Sequence, residues 1–248
     1  MSNSLLDFGT GGPALAFCGR ANANCPRMSM SLNTFSMKRA FTILSLAGTV
    51  AIPAMAAENI RGWYEVGANV IEDAKLEEFL DQPVSDNKVK FDPGFRAAIA
   101  LGTEITRHFA VEAEGGFHYN SIKSIGDAVS AQGDLYQFPV LGNIVLQFPN
   151  STPLVPVIGA GVGATFSILD AKNITLGAAR FSSNEETWSF TYQGYAGLLY
   201  QFRPQMALGL TYHYINNDGP SWKDAAGSTV KFNRIGSHSL ALTFNFRF

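Results

Sequence analysis

The last ten residues constrain this chain more than any other segment. Across 239–248 every even position is bulky and apolar (Leu240, Leu242, Phe244, Phe246, Phe248), and every odd one is small or polar (Ser239, Ala241, Thr243, Asn245, Arg247). Side chains alternate faces along a strand, so an unbroken run of this length describes a β-strand whose two sides meet different solvents. One face wants hydrocarbon and the other does not.

The same alternation recurs seven more times. It runs through 64–70, 95–102, 109–119, 135–148, 154–168, 186–203 and 206–215. Eight segments of about ten residues match the strand length that crosses a bilayer when tilted. The connections sort as well. Short ones fall near 106–108, 149–153 and 203–205, and long polar ones near 72–90, 120–133, 169–185 and 215–234. All short turns therefore lie at one end and all long loops at the other, which a soluble sandwich has no reason to do and an outer-membrane barrel does.

The chemistry of the faces separates this arrangement from a lipocalin-like soluble barrel, whose apolar face points inward. Gly159, Gly161 and Gly163 share their face with Thr165 and Ser167, while Leu154, Ile158 and Val162 take the other. An eight-stranded interior is only wide enough for side chains, so small and polar residues suit it. Aromatic residues gather at strand ends (Tyr64, Trp188, Phe190, Tyr200, Phe202, Tyr212, Tyr214, Phe246, Phe248), as interfacial girdles do. The fold expected is all-β: an eight-stranded antiparallel up-and-down transmembrane β-barrel.

Residues upstream of the first strand read differently. Lys38 and Arg39 precede an apolar run over 40–52, followed by Ala54 and Ala56 at A-x-A spacing. That is the layout of a secretory signal peptide over 37–56, cleaved after Ala56 or Ala57. Residues 1–36 lack periodicity and are expected to be an over-extended reading frame or a disordered leader, leaving 57–248 as the barrel domain. Losing the leader removes both cysteines (Cys18, Cys25) and leaves 14 Lys+Arg against 19 Asp+Glu, a net charge of −5. Disulfides and thiolate chemistry are then excluded. After residue 56 no apolar run approaches about 20 residues, so helical spans are excluded too. A net charge of −2 for the full chain, with no run of cations, argues against nucleic acid as a partner.

The chain resembles the OmpA/OmpX-like eight-stranded outer-membrane β-barrels, the outer membrane protein β-barrel domain family. The resemblance covers about 57–248. It is carried by LTFNFRF at 242–248, VEAEGGF at 111–117, PVIGAGVG at 156–163, and Phe138-Pro139-Val140 followed by Asn143. It implies insertion by the outer-membrane assembly machinery, which reads a C-terminal strand ending in Phe; here the signal residues are Phe244, Phe246 and Phe248. It implies no single activity.

Charged residues on the inward face are the first functional candidates: Glu65, Arg96, Glu112, Glu114 and Arg247, with His118 and His213 nearer the loops. A tight turn centred at Thr106 opposes Glu114 to Ala98 and sets it diagonal to Arg96, within side-chain reach. Charges in so narrow a lumen must pair. They form either a structural plug or a gate. Glu112 and Glu114 share a face, as general acid–base chemistry requires, but substrate has no room to enter. In Ser237-His238-Ser239 the histidine points away from both serines, so no hydrolase pair forms. Four scattered histidines offer no metal site. No enzymatic activity and no cofactor are expected.

The loops remain. Segment 72–86 is acidic and reads as solvated, with Leu76, Phe79 and Leu80 at helical spacing suggesting a short amphipathic helix near the membrane surface. Segment 215–234 carries Trp222, Lys223, Lys231 and Arg234. The partners expected are outer-membrane lipids and lipopolysaccharide, with a host or cell-surface ligand at the loops, and the protein is expected to be a monomer. A structural or surface-interaction role leads. A narrow pore for ions or small solutes comes next, and a lipid-modifying enzyme last.

Overall fold

A computed structural model describes residues 59–84, 87–126, 130–176, 179–223 and 227–248. The leader, with the cleavage residues Ala54 and Ala56, lies outside the described residues. Eight long strands close a ring: β1 (Ile60–Ile71), β5 (Gly94–Thr106), β6 (Phe109–Ile125), β7 (Ser130–Gln147), β8 (Leu154–Leu176), β9 (Ala179–Arg203), β10 (Met206–Asp218) and β13 (Arg234–Arg247). Each pairs antiparallel with the next, β7 closes on β6, and β13 returns to β1. Short turns join β5 to β6, β7 to β8 and β9 to β10, as the spacing of turn residues predicts.

The register gives the barrel its size. Paired residues lead from Arg96 through His118, Gln137 and Ser167 to Thr187 on β9. The opposite way round, Gly67, Ala241 and Thr211 lead to Gly197 on the same strand. The offset, 197 − 187, is a shear of ten residues, which for eight strands tilts them by about 40°. The outward face carries the apolar residues of the alternating pattern, Val66, Ile99, Ile144, Val162, Leu210 and Leu242 among them, all exposed where lipid would cover them.

Glycines fit the crowded wall. Gly159 lies directly opposite Tyr195, and a Cβ there would fall 2.2 Å from the tyrosine ring. The ring covers the glycine and fills the space a side chain would take.

The long connections depart from the expected polar loops. The strands exceed ten residues, β8 and β9 reaching 23 and 25, and they absorb most of 120–133 and 169–185. The described residues of 72–90 form no helix; they make β2 (Ala74–Phe79), β3 (Gln82–Pro83) and β4 (Lys88–Phe91). Leu80 and Asp81, at φ 52° and 60°, make a two-residue hairpin turn between β2 and β3, with Phe79 opposite Gln82. Two successive positive φ values are what the right-handed strand twist requires of such a turn, and they break the helical spacing that the side chains display.

The last connection adds β11 (Ser221–Lys223) and β12 (Thr229–Phe232). Together the two connections build a cap in the order β11–β12–β2–β4–β6, so β6 belongs to barrel and cap alike. Inside the cap lie Leu76, Phe79, Val89, Ile122, Leu135, Leu169, Trp222, Val230, Phe232 and Ile235 as one buried cluster. The acidic segment is therefore solvated on one side only. The inside-out character of the wall reverses at this level: below it the interior carries the polar and charged groups, with Val145, Val155, Val157 and Leu199 among them, and the exterior is apolar, while above it the interior is apolar.

Candidate functional site

The polar lumen is the densest set of interacting charges. Arg96, wholly buried on β5, is its centre. Its Nε bonds Glu65, its Nη2 donates to Glu114 Oε1 at 2.7 Å, and its Nη1 lies 2.9 Å from His118 Nε2. Glu65 Oε2 also meets His213 Nε2 at 3.0 Å and accepts from the Thr211 hydroxyl at 3.2 Å. Glu114 Oε2 accepts from Asn143 at 2.7 Å and Gln193 at 2.5 Å. Six strands thus converge on one guanidinium and two carboxylates, with both carboxylates hydrogen-bonded beyond the arginine. Burying such charges is tolerable only with partners of this number and geometry.

The register differs from the one expected. Arg96 lies opposite His118, and Glu114 opposite Ala100, because the turn is centred at 107. A residue is skipped between Glu104 and Thr106, which shifts the pairing by one position between Thr106–Phe109 and Glu104–Ala110 and sets the register of every pair beyond. Arg96 reaches Glu114 all the same, its long side chain spanning the diagonal.

Glu112 and Arg247 belong to a second cluster nearer the short turns. Arg61 Nε meets Glu112 Oε1 at 2.8 Å, and Trp63 Nε1 donates to Glu112 Oε2 at 2.8 Å. Arg247 Nε pairs with Glu104 at 2.8 Å, and Gln147 Oε1 accepts from both Arg61 (3.0 Å) and Arg247 (2.9 Å). Arg61 and Glu104 escaped the sequence reading, although Arg61 shares the odd-numbered inward positions of Glu65 and Asn69. Glu112 and Glu114 serve different clusters and do not act as a pair.

Above Arg96 the lumen continues as neutral amides and hydroxyls. Asn69 Nδ2 donates to Asn120 Oδ1 at 2.6 Å, and Ser239 donates to Asn69 Oδ1 at 2.7 Å. Beyond these begins the apolar interior of the cap. Between the two ionic clusters, beside Trp63, Tyr195 and His213, a space of about 20 Å³ remains, room for one water.

The residues set aside as non-catalytic keep to their faces. Ser237 and Ser239 are buried inside. His238 is on the outside, 2.6 Å from Tyr212 Oη and 2.9 Å from Glu72 Oε1. The rings of Phe244 and Phe246 lie 6.4 and 5.1 Å from that of Tyr64 on the outer surface, and the Phe248 ring packs edge-on to Phe246 at 5.4 Å. No group of three or more potential metal ligands occurs among the described residues.

The chain is similar to several solved structures. OprG from Pseudomonas aeruginosa matches with a TM-score of 0.52 at 13% identity, over 77% of this chain and 98% of that one. Neisserial surface protein A gives 0.49 at 16% identity, over 78% and 100%. The outer membrane protease OmpT from Escherichia coli gives 0.49 at 6% identity, over 79% and 99%. Such identities speak to the fold alone, and no curated protein sequence matches. Residues 42–248 match the family described as outer membrane protein beta-barrel domain, and the chain belongs to it: this is an integral β-barrel protein of the Gram-negative outer membrane.

Proposed function

We propose that the protein is a closed, non-catalytic barrel that acts through its folded extracellular cap, as a structural and surface-interaction protein. The observation that carries this reading is the filling of the lumen. Arg96 and its partners occupy the middle, Arg61 and Arg247 with theirs occupy the end near the short turns, and the apolar cluster around Trp222 covers the other end. A conducting path needs a continuous hydrated route, and here ions would meet fixed charges already paired, then a dry apolar layer. The leader expected at 37–56 supplies export in this reading, and Phe244, Phe246 and Phe248 supply the assembly signal. The cap, with its outer face in solvent, offers the surface for lipopolysaccharide or a cell-surface ligand.

Single-channel recording on the refolded protein in planar bilayers tests it, with heat-modifiable gel migration as the folding control. A folded barrel is expected to be silent. Reproducible openings that change with Arg96→Ala would replace this reading with the pore.

A further inference from the structure

We propose that the outward face of β2, β4 and the upper end of β6 binds the phosphate groups of the glycolipid that surrounds the barrel in the outer leaflet. The proposal rests on the surface-interaction reading and names its partner.

Four lysines meet on this face. Lys75, Lys88, Lys90 and Lys123 are all exposed, and they alternate with the buried Ala74, Leu76, Val89 and Ile122, so their side chains leave the cap on the same side. Lys75 lies directly opposite Lys88 in the β2–β4 ladder, and Lys90 lies opposite Ser124, next to Lys123. Like charges directly across a ladder destabilise it. Among the described residues their ion pairs are with Asp73, 3.9 Å from Lys88, and Asp92, 3.9 Å from Lys123, both loose and solvent-exposed. Lys75 and Lys90 make no ion pair among the described residues. A phosphate dianion set between the lysines would relieve this repulsion.

The location fits one occupant. Directly below the lysines the wall carries Phe95, Phe117 and Tyr119, with ring centroids 5.4 and 5.9 Å apart from Phe95 outward. That is an aromatic girdle of the kind that marks the headgroup level. Lys123 follows Tyr119 by four residues, about 13 Å along the strand and about 10 Å along the membrane normal at the barrel's tilt. Its ammonium stands just outside the hydrocarbon, where the phosphates of an outer-leaflet glycolipid lie. The patch has edges: Asp134 on the β7 side, which accepts from the Tyr119 hydroxyl at 2.7 Å, and the Glu77–Lys231 pair at 2.8 Å on the β12 side. A partner arriving from solution would not need the basic face to run on into the lipid-facing wall; a lipid would.

The test measures binding of bisphosphorylated lipid A, and of its dephosphorylated form, to the refolded protein in detergent by native mass spectrometry. The variant is Lys75→Gln/Lys88→Gln/Lys90→Gln/Lys123→Gln. The control, Arg107→Gln/Arg203→Gln, removes exposed cations from the opposite rim. The quadruple variant is expected to bind bisphosphorylated lipid A at least tenfold more weakly, with the control unchanged. The wild type should bind the dephosphorylated lipid no better than the quadruple variant binds the phosphorylated one, and its binding should weaken with salt. Equal binding by wild type and quadruple variant, or indifference to the phosphates, overturns the proposal. Preference for a sulfated polysaccharide over lipid A overturns the choice of occupant. Should the quadruple variant fail to fold, the single variants Lys75→Gln and Lys90→Gln carry the same comparison. Conductance of the same samples is read separately, so an open pore and a lipid-indifferent cap are distinct failures.

Discussion

Arg96 and Glu114 sit on neighbouring strands, both side chains fully shielded from solvent, and their Nη2–Oε1 contact of 2.7 Å joins the centre of the lumen to the Asn143–Gln193 pair behind it. Removing the arginine leaves Glu65 and Glu114 buried with no cation between them. Arg96→Ala is therefore expected to cost about 3–5 kcal/mol. The neutral set Glu65→Gln/Arg96→Met/Glu114→Gln keeps the amide partners supplied and should recover most of that loss. Urea unfolding in lipid vesicles measures both, and a loss below about 1 kcal/mol for Arg96→Ala would show that the arginine is not the keystone of the plug.

The cap should fail independently of the barrel. Trp222 is 1% exposed, meets the Phe232 ring edge-on at 5.5 Å, and has no lipid to lean on. Trp222→Ala empties the largest volume in that cluster, a change worth about 3–5 kcal/mol in a packed core. Protease added from outside should then cut between 72 and 93 and between 219 and 233, while the heat-modifiable gel shift of the barrel persists. Simultaneous loss of both would mean that cap and wall fold as one cooperative unit.

Lys231 offers a titration to follow. The hydrogen bond that its ammonium donates to Glu77, and after it the charge of that carboxylate, raise its pKa above the ordinary 10.5. A group whose folded pKa is raised stabilises the folded state below its unfolded value, and that contribution disappears as pH rises through the folded pKa. The pair therefore holds β12 to β2 at neutral pH and lets go only above about pH 10.5. NMR of the lysine side chain should show Glu77→Gln returning Lys231 to the ordinary lysine titration; an unchanged curve would deny Glu77 the role.

The barrel was legible in the sequence because each of its strands separates two solvents, and a period-2 pattern such as that of 239–248 records the separation residue by residue. Leu76, Phe79 and Leu80 were not legible as strand and turn, since their spacing is equally that of a helix face. What decides it is backbone geometry at Leu80 and Asp81 together with a partner strand 151 residues away, Val230 opposite Phe79. The inward charges were readable by parity, but their grouping was not: a single skipped residue before Thr106 set which pairs face each other. The basic face is invisible along the chain for the same reason. Successive lysines are 13, 2 and 33 residues apart, and only the β2–β4–β6 pairing brings them together.

Because β2 and β12 are hydrogen-bonded and bury their side chains in one cluster, the first and last extracellular connections are no longer separate units of variation. Foreign epitopes grafted into either, or immune pressure acting on one, must be absorbed by the other. Sequence change in this protein's exposed segments should accumulate in matched pairs across the cap rather than loop by loop.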